Sequence, residues 1–503
     1  MTSKIFLGVD VGTSSTKGVL TDERGNVLSS ASRQHAPDRP MPGYVEMDGN
    51  IWWREFLEIA EELLQGEAAQ EALEGGSVLG AVGVSGMGPC VLLADAAGVP
   101  LRPAILYGVD TRSGEQIREL DAELGRTEIF DSTGSVLSSQ AVGPKLRWVQ
   151  QEEPDVWAEA EHMFMPASWL VFKLTGEYVL DHHSASQCNP MYDPEAGTWH
   201  RWAEAVAPSL PLPELRWPGE FAGRTGSEVA GIPEGTPIIT GTIDAWSEAV
   251  SVDAQNPGDL MIMYGTTMFL IATAGSRQST KTMWGTVGAY EGTFNLAGGM
   301  ATSGAITNWF ADLSEAQFAT LLAEAEKSPV GAHGLLMLPY FAGERTPIFD
   351  ADARGVIAGL TVSHTRGDIY RAILEATAFG VRHNVEAMND AGASIDRIVA
   401  VGGGVQGDLW TSIVSSVTGL KQVIPTHAIG ASYGASLLAA RADGVDVSGW
   451  NPPARIVEPR GQDHETYSEL YDLYRELYPA TKTISHALAA FQRSTHFEQR
   501  QGE

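Results

Sequence analysis

The segment GVDVGTSSTKGVLTDERG, residues 8–25, puts a glycine- and hydroxyl-rich loop directly after a short apolar run, Ile5 to Val9. A loop that wraps a phosphate in the Walker manner needs G-x-x-x-x-G-K-[ST] and runs on into a helix. This one does neither. Thr16 to Leu20 resumes an extended pattern, residues 23–26 read as a turn, and Val27 opens a third run. The pattern predicts a β-hairpin whose tip, Gly12-Thr13-Ser14-Ser15, gathers backbone N–H groups and hydroxyls as an anion cradle does. Asp10, at the mouth of the first strand, offers hard oxygen to a divalent cation or its waters, and Lys17 lies in the return strand. On its own the segment fits equally well as a plain hairpin tip whose Ser and Thr satisfy turn backbone.

A second stretch tips that balance. GDLMIMYGTTMFLIATAG, residues 258–275, again reads strand, Gly265-Thr266-Thr267 tip, strand, and it begins about halfway along the 503 residues. Two halves that each open on such a hairpin predict a duplicated architecture, with a nucleotide's phosphates held between Thr13 and Thr266. The boundary is expected near residue 250, at the polar Asn-Pro-Gly stretch SVDAQNPGD (251–259), giving halves 1–250 and 251–503. Strand-like runs (80–86, 236–242, 397–404) alternate with helix-like ones (51–64, 367–388), an α/β pattern. The last stretch, RSTHFEQRQGE, is polar and reads as a frayed end.

Composition narrows the function. There are 33 Lys and Arg against 63 Asp and Glu, a formal net charge of −30, so a broad electrostatic footprint for nucleic acid or anionic membrane is excluded, though a local phosphate site is not. Two cysteines, Cys90 and Cys188, make neither a disulfide framework nor a zinc cluster, which points to a reducing compartment. The N-terminal apolar run is broken by Asp10, unlike a signal peptide, and the longest uncharged stretch, 260–276, is too short and interrupted for a membrane span. A cytoplasmic protein is expected.

Gly402, Gly404 and Gly407 match G-x-G-x-x-G, but the acidic partner about twenty residues on is missing, since that region reads LKQVIPTHA. The glycines still allow a purine or ribose to approach the backbone; tight helix–strand packing is the plainer alternative. In TGTIDAWSEAV (240–250), Asp244 follows an apolar strand and precedes a helix, where ligands of open α/β sheets collect. An Asp there is also a common N-cap, and both roles are compatible. GYVEMDGNIWW (43–53) and VDTRS (109–113, with Asp110 and Arg112) gather aromatic faces, carboxylates and an arginine suited to a polyhydroxylated ligand, although the tryptophans suit core packing better. His182-His183 are adjacent, which suits a loop rather than a metal site.

Taken in order, these segments resemble the FGGY carbohydrate kinases, which have the actin-like ATPase (ribonuclease H-like) fold. The resemblance runs over roughly residues 4–445. It also includes GPKLRWVQQEEP (143–154), TSGAITNWF (302–310), LPYFAGERTPIFD (338–350) and GVIAGLTVSHTRGDIYRAILEATAFG (355–380). It implies two actin-like domains closing over MgATP and a sugar or polyol, in a chain that acts alone or as a homodimer. By the same resemblance Asp244 is the catalytic base, with Asp10 as the magnesium-side carboxylate and Asp244 near the metal. Thr13, Ser14, Ser15 and Lys17 form one phosphate hairpin, and Gly265 and Thr266 the other. Gly304, Asn308, Gly403, Gly404 and Gly407 form the nucleotide side, and Met87, Gly88, Asp110 and Arg112 face the sugar. The sequence departs from its relatives at Met87-Gly88-Pro89-Cys90, where xylulokinase-like members carry Met-His and glycerol kinases an Arg-Glu pair. The expected reaction is phosphorylation of a pentose or ketose hydroxyl, as of xylulose. Another sugar or polyol (ribulose, erythritol or ribitol type) is the alternative within the family, and an actin- or chaperone-like ATPase is the alternative outside it.

Overall fold

The first hairpin forms as expected: Lys4–Val11 and Ser15–Asp22 pair antiparallel, from Ile5 opposite Asp22 to Val11 opposite Thr16, and Val27–Gln34 adds a third strand. The second hairpin repeats it, with Asp259–Tyr264 against Met268–Ala274 and Phe294–Met300 as the third strand. In the computed structural model, which describes residues 3–501, each hairpin is the centre of its own seven-stranded sheet. Strand Val78–Gly86 lies parallel to Lys4–Val11, and Pro237–Ile239 follows it. Strand Arg397–Val401 lies parallel to Asp259–Tyr264, and Gln422–Pro425 follows it. Both sheets end on an antiparallel edge strand, Phe221–Arg224 and Pro453–Val457.

Amphipathic helices cover these sheets. Helix Gly49–Gln65 starts where the Asp48 carboxylate accepts the Asn50 N–H, and it buries Trp52, Phe56, Ile59 and Leu63, spaced at helical period, against the first sheet. Helix Arg366–Asp390 starts on a reciprocal Thr365–Asp368 cap and packs into the core of the second half. Helix Gly461–Gln501 takes up most of the polar terminus read as a frayed end, whose last two residues lie outside the described ones. Among the described residues, no helix is long and apolar enough to cross a membrane.

The two sheets are joined by an exchange of helices. Helix Asp244–Ser251, which follows the first sheet, buries Trp246 and Ala249 among Met261, Ile271, Ala297 and Val399 of the second. Helix Ala431–Ala442, which follows the second sheet, buries Leu437 and Ala440 with Phe6, Val19 and Ala81 of the first. The approach is too close for side chains. A Cβ at Gly8 would lie 2.1 Å from the Ser432 carbonyl oxygen, one at Gly83 2.0 Å from that of Ala435, and one at Gly434 1.8 Å from that of Ser247. We expect Gly434→Ala to destabilise the protein by about 1–3 kcal/mol through overpacking. Gly114→Ala, where nothing lies within 4 Å, should be near neutral. Thermal midpoints of the two variants test this, and equal midpoints would show that the helix crossing has room to spare.

Candidate active site

Sheet register brings the first carboxylates together. Asp10 pairs with Ser85 on the neighbouring parallel strand, and Ser85 pairs with Thr242 on the next, so Asp244 lies two residues beyond that row. With strands about 4.8 Å apart, Asp10 and Asp244 start from backbones two strand spacings, roughly 10 Å, apart and converge at the carboxyl ends of the sheet. Asp10 accepts the Ser85 hydroxyl at 2.9 Å. Asp244 is the first residue of its helix, not its N-cap, which is Ile243; its Oδ1 accepts the Ala245 N–H at 2.7 Å. It is half-buried, with one face open to a cavity and the rest enclosed by protein.

Burial, and then the negative charge of Asp244, push the Asp10 carboxyl up, and burial raises Asp244 as well. One turn along the helix, burial followed by the charge of Asp244 lifts Glu248 to about 7, and Lys17 opposes both Asp10 and Glu248 from the facing strand. Three acidic groups thus converge on one amine, a site short of positive charge.

Two cavities adjoin this centre. The first, about 280 Å³, is lined by Asp244, Met87, Gly88 and Tyr107 of the first half and by Thr267 and Arg345 of the second. Gly88 is required locally, since a Cβ there would meet Ile243 at 2.7 Å. The Tyr107 hydroxyl lies 3.0 Å from the Thr13 hydroxyl, tying the first hairpin tip to the cavity wall. Ser14 is exposed at that tip and Ser15 buried beneath it.

The second cavity, about 450 Å³, is lined by Gly265, Thr266, Gly304, Asn308, Gly403, Gly404 and Gly407, with Tyr264, Tyr370 and Trp410 as aromatic walls. Its glycine turn is a real steric demand. Gly402 adopts φ +94° and a Cβ on it would lie 2.5 Å from the Tyr264 carbonyl oxygen, while one on Gly404 would meet the Trp410 ring at 2.8 Å. The second hairpin tip fastens the next wall, because the Gly265 and Thr266 carbonyls accept the Gly304 and Ala305 N–H groups at the start of helix Gly304–Leu313.

Asp110 and Arg112 are placed differently from expectation. They meet each other, with Arg112 Nη2 donating to Asp110 Oδ2 at 2.7 Å and Asp110 Oδ2 accepting the Val45 N–H, and neither lines the cavity. Glu46 holds Arg112 and Arg102, and Tyr44 and Trp148 stack on the Arg112 guanidinium. All three guanidinium nitrogens of Arg112 thus have a carboxylate partner, the pairing that a buried charge needs. Trp52 is in the core.

The sequence reading missed Tyr107 as a hairpin partner, Arg345, and the histidine. His183 is not in a loop: it lies in the short helix His182–Ser186, buried, its ring stacked on Trp246 at 3.8 Å. Its Nδ1 donates to the Val287 carbonyl at 2.8 Å, and burial pulls its pKa down to about 3, so the imidazole is neutral. An adjacent His-His carries no sign of which ring faces inward.

The chain matches the N-terminal domain model of the FGGY family of carbohydrate kinases over residues 5–251 and the C-terminal domain model over residues 260–442. It belongs to that family. An FGGY kinase of Staphylococcus epidermidis named xylulose kinase is 26% identical over 96% of this chain and 98% of its own length. A glycerol kinase of Nocardia farcinica is 31% identical over 87% of this chain and 91% of its own. The crystal structure of xylulose kinase from Rhodospirillum rubrum superposes with a TM-score of 0.88 at 31% identity, over 96% of this chain and all of that one. The protein is therefore an ATP-dependent sugar kinase of two actin-like domains.

The neutral His183 has a consequence for stability. Unfolded, the imidazole titrates near 6.5. Between that value and about 3 the unfolded state holds the extra proton, so this contribution is present at neutral pH and lost as pH falls. Between pH 7.5 and 5.0 wild type should lose about 2 kcal/mol more than His183→Gln does. Parallel pH–stability curves for the two proteins would refute the buried neutral imidazole.

Proposed function

We propose that this kinase transfers the γ-phosphate of MgATP to a hydroxyl, at the end of the chain, of a neutral pentulose such as xylulose, with Asp244 as general base. One observation carries the proposal: Asp244 is on the wall of the 280 Å³ cavity and also two residues beyond the Asp10–Ser85–Thr242 row that underlies the first hairpin. A carboxylate so placed accepts the proton of the sugar hydroxyl as its oxygen attacks, and positioning plus charge stabilisation supply most of the remaining catalysis. Thr13, Ser14, Ser15 and Lys17 would contact the phosphates from one side and Thr266 from the other, with the base and ribose in the 450 Å³ cavity between Gly304, Asn308 and the turn at 403–407.

Magnesium suits the residues present. Asp10 and Asp244 are hard-oxygen groups in a site short of positive charge. Among the described residues no group of three or more His, Cys, Asp or Glu could enclose a metal. A cation would thus keep water and phosphate oxygens in its shell, as magnesium does at kinase sites. Bound there, it would neutralise charge on the phosphates. Asp110 and Arg112 would act on the sugar only through the walls they brace. The reading takes the kinase as cytoplasmic, with two buried free thiols at Cys90 and Cys188, and working on a diffusible sugar alone or as a homodimer.

A ketose is favoured over glycerol because Gly88 stands where glycerol kinases carry a charged pair, leaving the cavity room beyond the reacting hydroxyl. Asp244→Asn should lower sugar-dependent ADP release by about 10²–10⁴-fold. Calorimetry should show ATP binding within a few-fold of wild type. Turnover of the variant at the wild-type rate, across a panel of ketoses, aldoses and polyols, would remove Asp244 from the role of base.

A further inference from the structure

The cavity that holds Asp244 is also lined by Gln140, Gln187, Trp284 and Thr286, which it shares with a crevice of about 20 Å³ lined in addition by Ser135 and Asn189. None of these is charged, and they come from both halves of the chain. Their hydrogen bonds define what the cavity presents. His183 spends its only N–H on the Val287 carbonyl, so its Nε2 is an acceptor and must take the Gln187 amide N–H at 3.0 Å. The Gln187 side chain is thereby oriented with its carbonyl oxygen left for the cavity. Gln140 is fixed the opposite way: its Oε1 accepts the Gly108 N–H at 2.9 Å, leaving its NH₂ group as donor. Gly108 permits this, since a Cβ there would meet the Gln140 amide carbon at 2.7 Å.

On the same wall stands Thr286, 7% exposed, whose buried hydroxyl has no hydrogen-bond partner among the described residues; the side-chain Oδ1 of Asn189 in the crevice is likewise unpartnered. Buried polar groups are rarely left unpaired, and where they are a ligand is one of the standard reasons.

We propose that Gln140, Gln187 and Thr286 are the specificity-determining residues of this kinase, reading the hydroxyls of a neutral polyhydroxylated chain beyond the one phosphorylated, with His183 as the positioning residue for Gln187. The proposal rests on the sugar-kinase reading above and deepens it. A hydroxyl both donates and accepts, so successive hydroxyls satisfy the Gln187 carbonyl, the Gln140 amide and the Thr286 hydroxyl together. A three-carbon polyol bound at Asp244 would leave Gln140, Gln187 and Thr286 without hydroxyl partners. A sugar acid would bring a carboxylate to a wall without a cation, because Arg345 is on the Asp244 side, near Tyr107.

The test uses the full-length protein, ADP release, and a panel of ketopentoses, pentitols, glycerol, aldonic acids and monodeoxy analogues of the best substrate. Thr286→Val should raise the sugar KM roughly tenfold and leave the ATP KM within about twofold, while Thr286→Ser restores the wild-type value. Wild type should discriminate roughly tenfold against one monodeoxy analogue, and Thr286→Val should not. Gln140→Leu provides a second variant should Thr286→Val fold poorly, with the same expected split between the two KM values. Sugar KM values unchanged in both variants, with wild type active, would overturn this proposal alone. A preference for glycerol or an aldonic acid would overturn it as well. A wild type that phosphorylates no neutral sugar or polyol would overturn both readings.

Discussion

Backbone contact between helix Ala431–Ala442 and its two neighbours is the constraint on which the rest depends. Gly8 and Gly83 let that helix lie on the first sheet, and Gly434 lets it touch the Ser247 carbonyl of the helix that begins at Asp244. Each half therefore covers part of the other's sheet, and Asp244, the proposed general base, stands at the start of a helix whose buried face packs on the opposite domain.

Charge beside that crossing is arranged at a cost to the free protein. Asp10, Asp244 and Glu248 face one lysine, and burial raises all three. Such a site gains when a cation and a polyphosphate arrive together, since each supplies what the other lacks. Water is a competing nucleophile for the γ-phosphate, and a site whose charges are balanced only with substrates in place is a physical basis for favouring the sugar.

Much of the fold was legible because the hairpins are local. Alternation, turn residues and the repeated Gly-Thr tip specify both central strand pairs, and helical spacing specifies Gly49–Gln65 and Arg366–Asp390. The positions of Asp10 and Asp244 at strand ends were legible for the same reason, as was the gathering of Gly403, Gly404 and Gly407 in one glycine turn, which lines the 450 Å³ cavity. Asp110 and Arg112 were misplaced because local spacing shows that a carboxylate and an arginine can meet but not that Glu46, Tyr44 and Val45 will occupy their remaining valences. His183, Gln187 and Thr286 were invisible: they converge through contacts about a hundred residues apart, and nothing in HHSAS or WGTV announces a partner.

The same contrast bears on how kinases of one fold separate their substrates. The chemistry is fixed at strand ends, where register leaves little freedom. The sugar end is built from loops and short elements of both halves, where one orphaned hydroxyl or the orientation of one amide decides which hydroxyls are welcome. Gly88, which has no side chain to offer a ligand, lines the same cavity as Gln140, Gln187 and Thr286. Hydrogen-bonding sites reject an analogue that lacks a partner group far more strongly than apolar pockets reject a missing methylene, because the protein's own polar atoms are left unpaired. A buried threonine without a partner, on one cavity wall with a fixed donor and a fixed acceptor, would therefore be a more effective filter for sugars than extra shape complementarity.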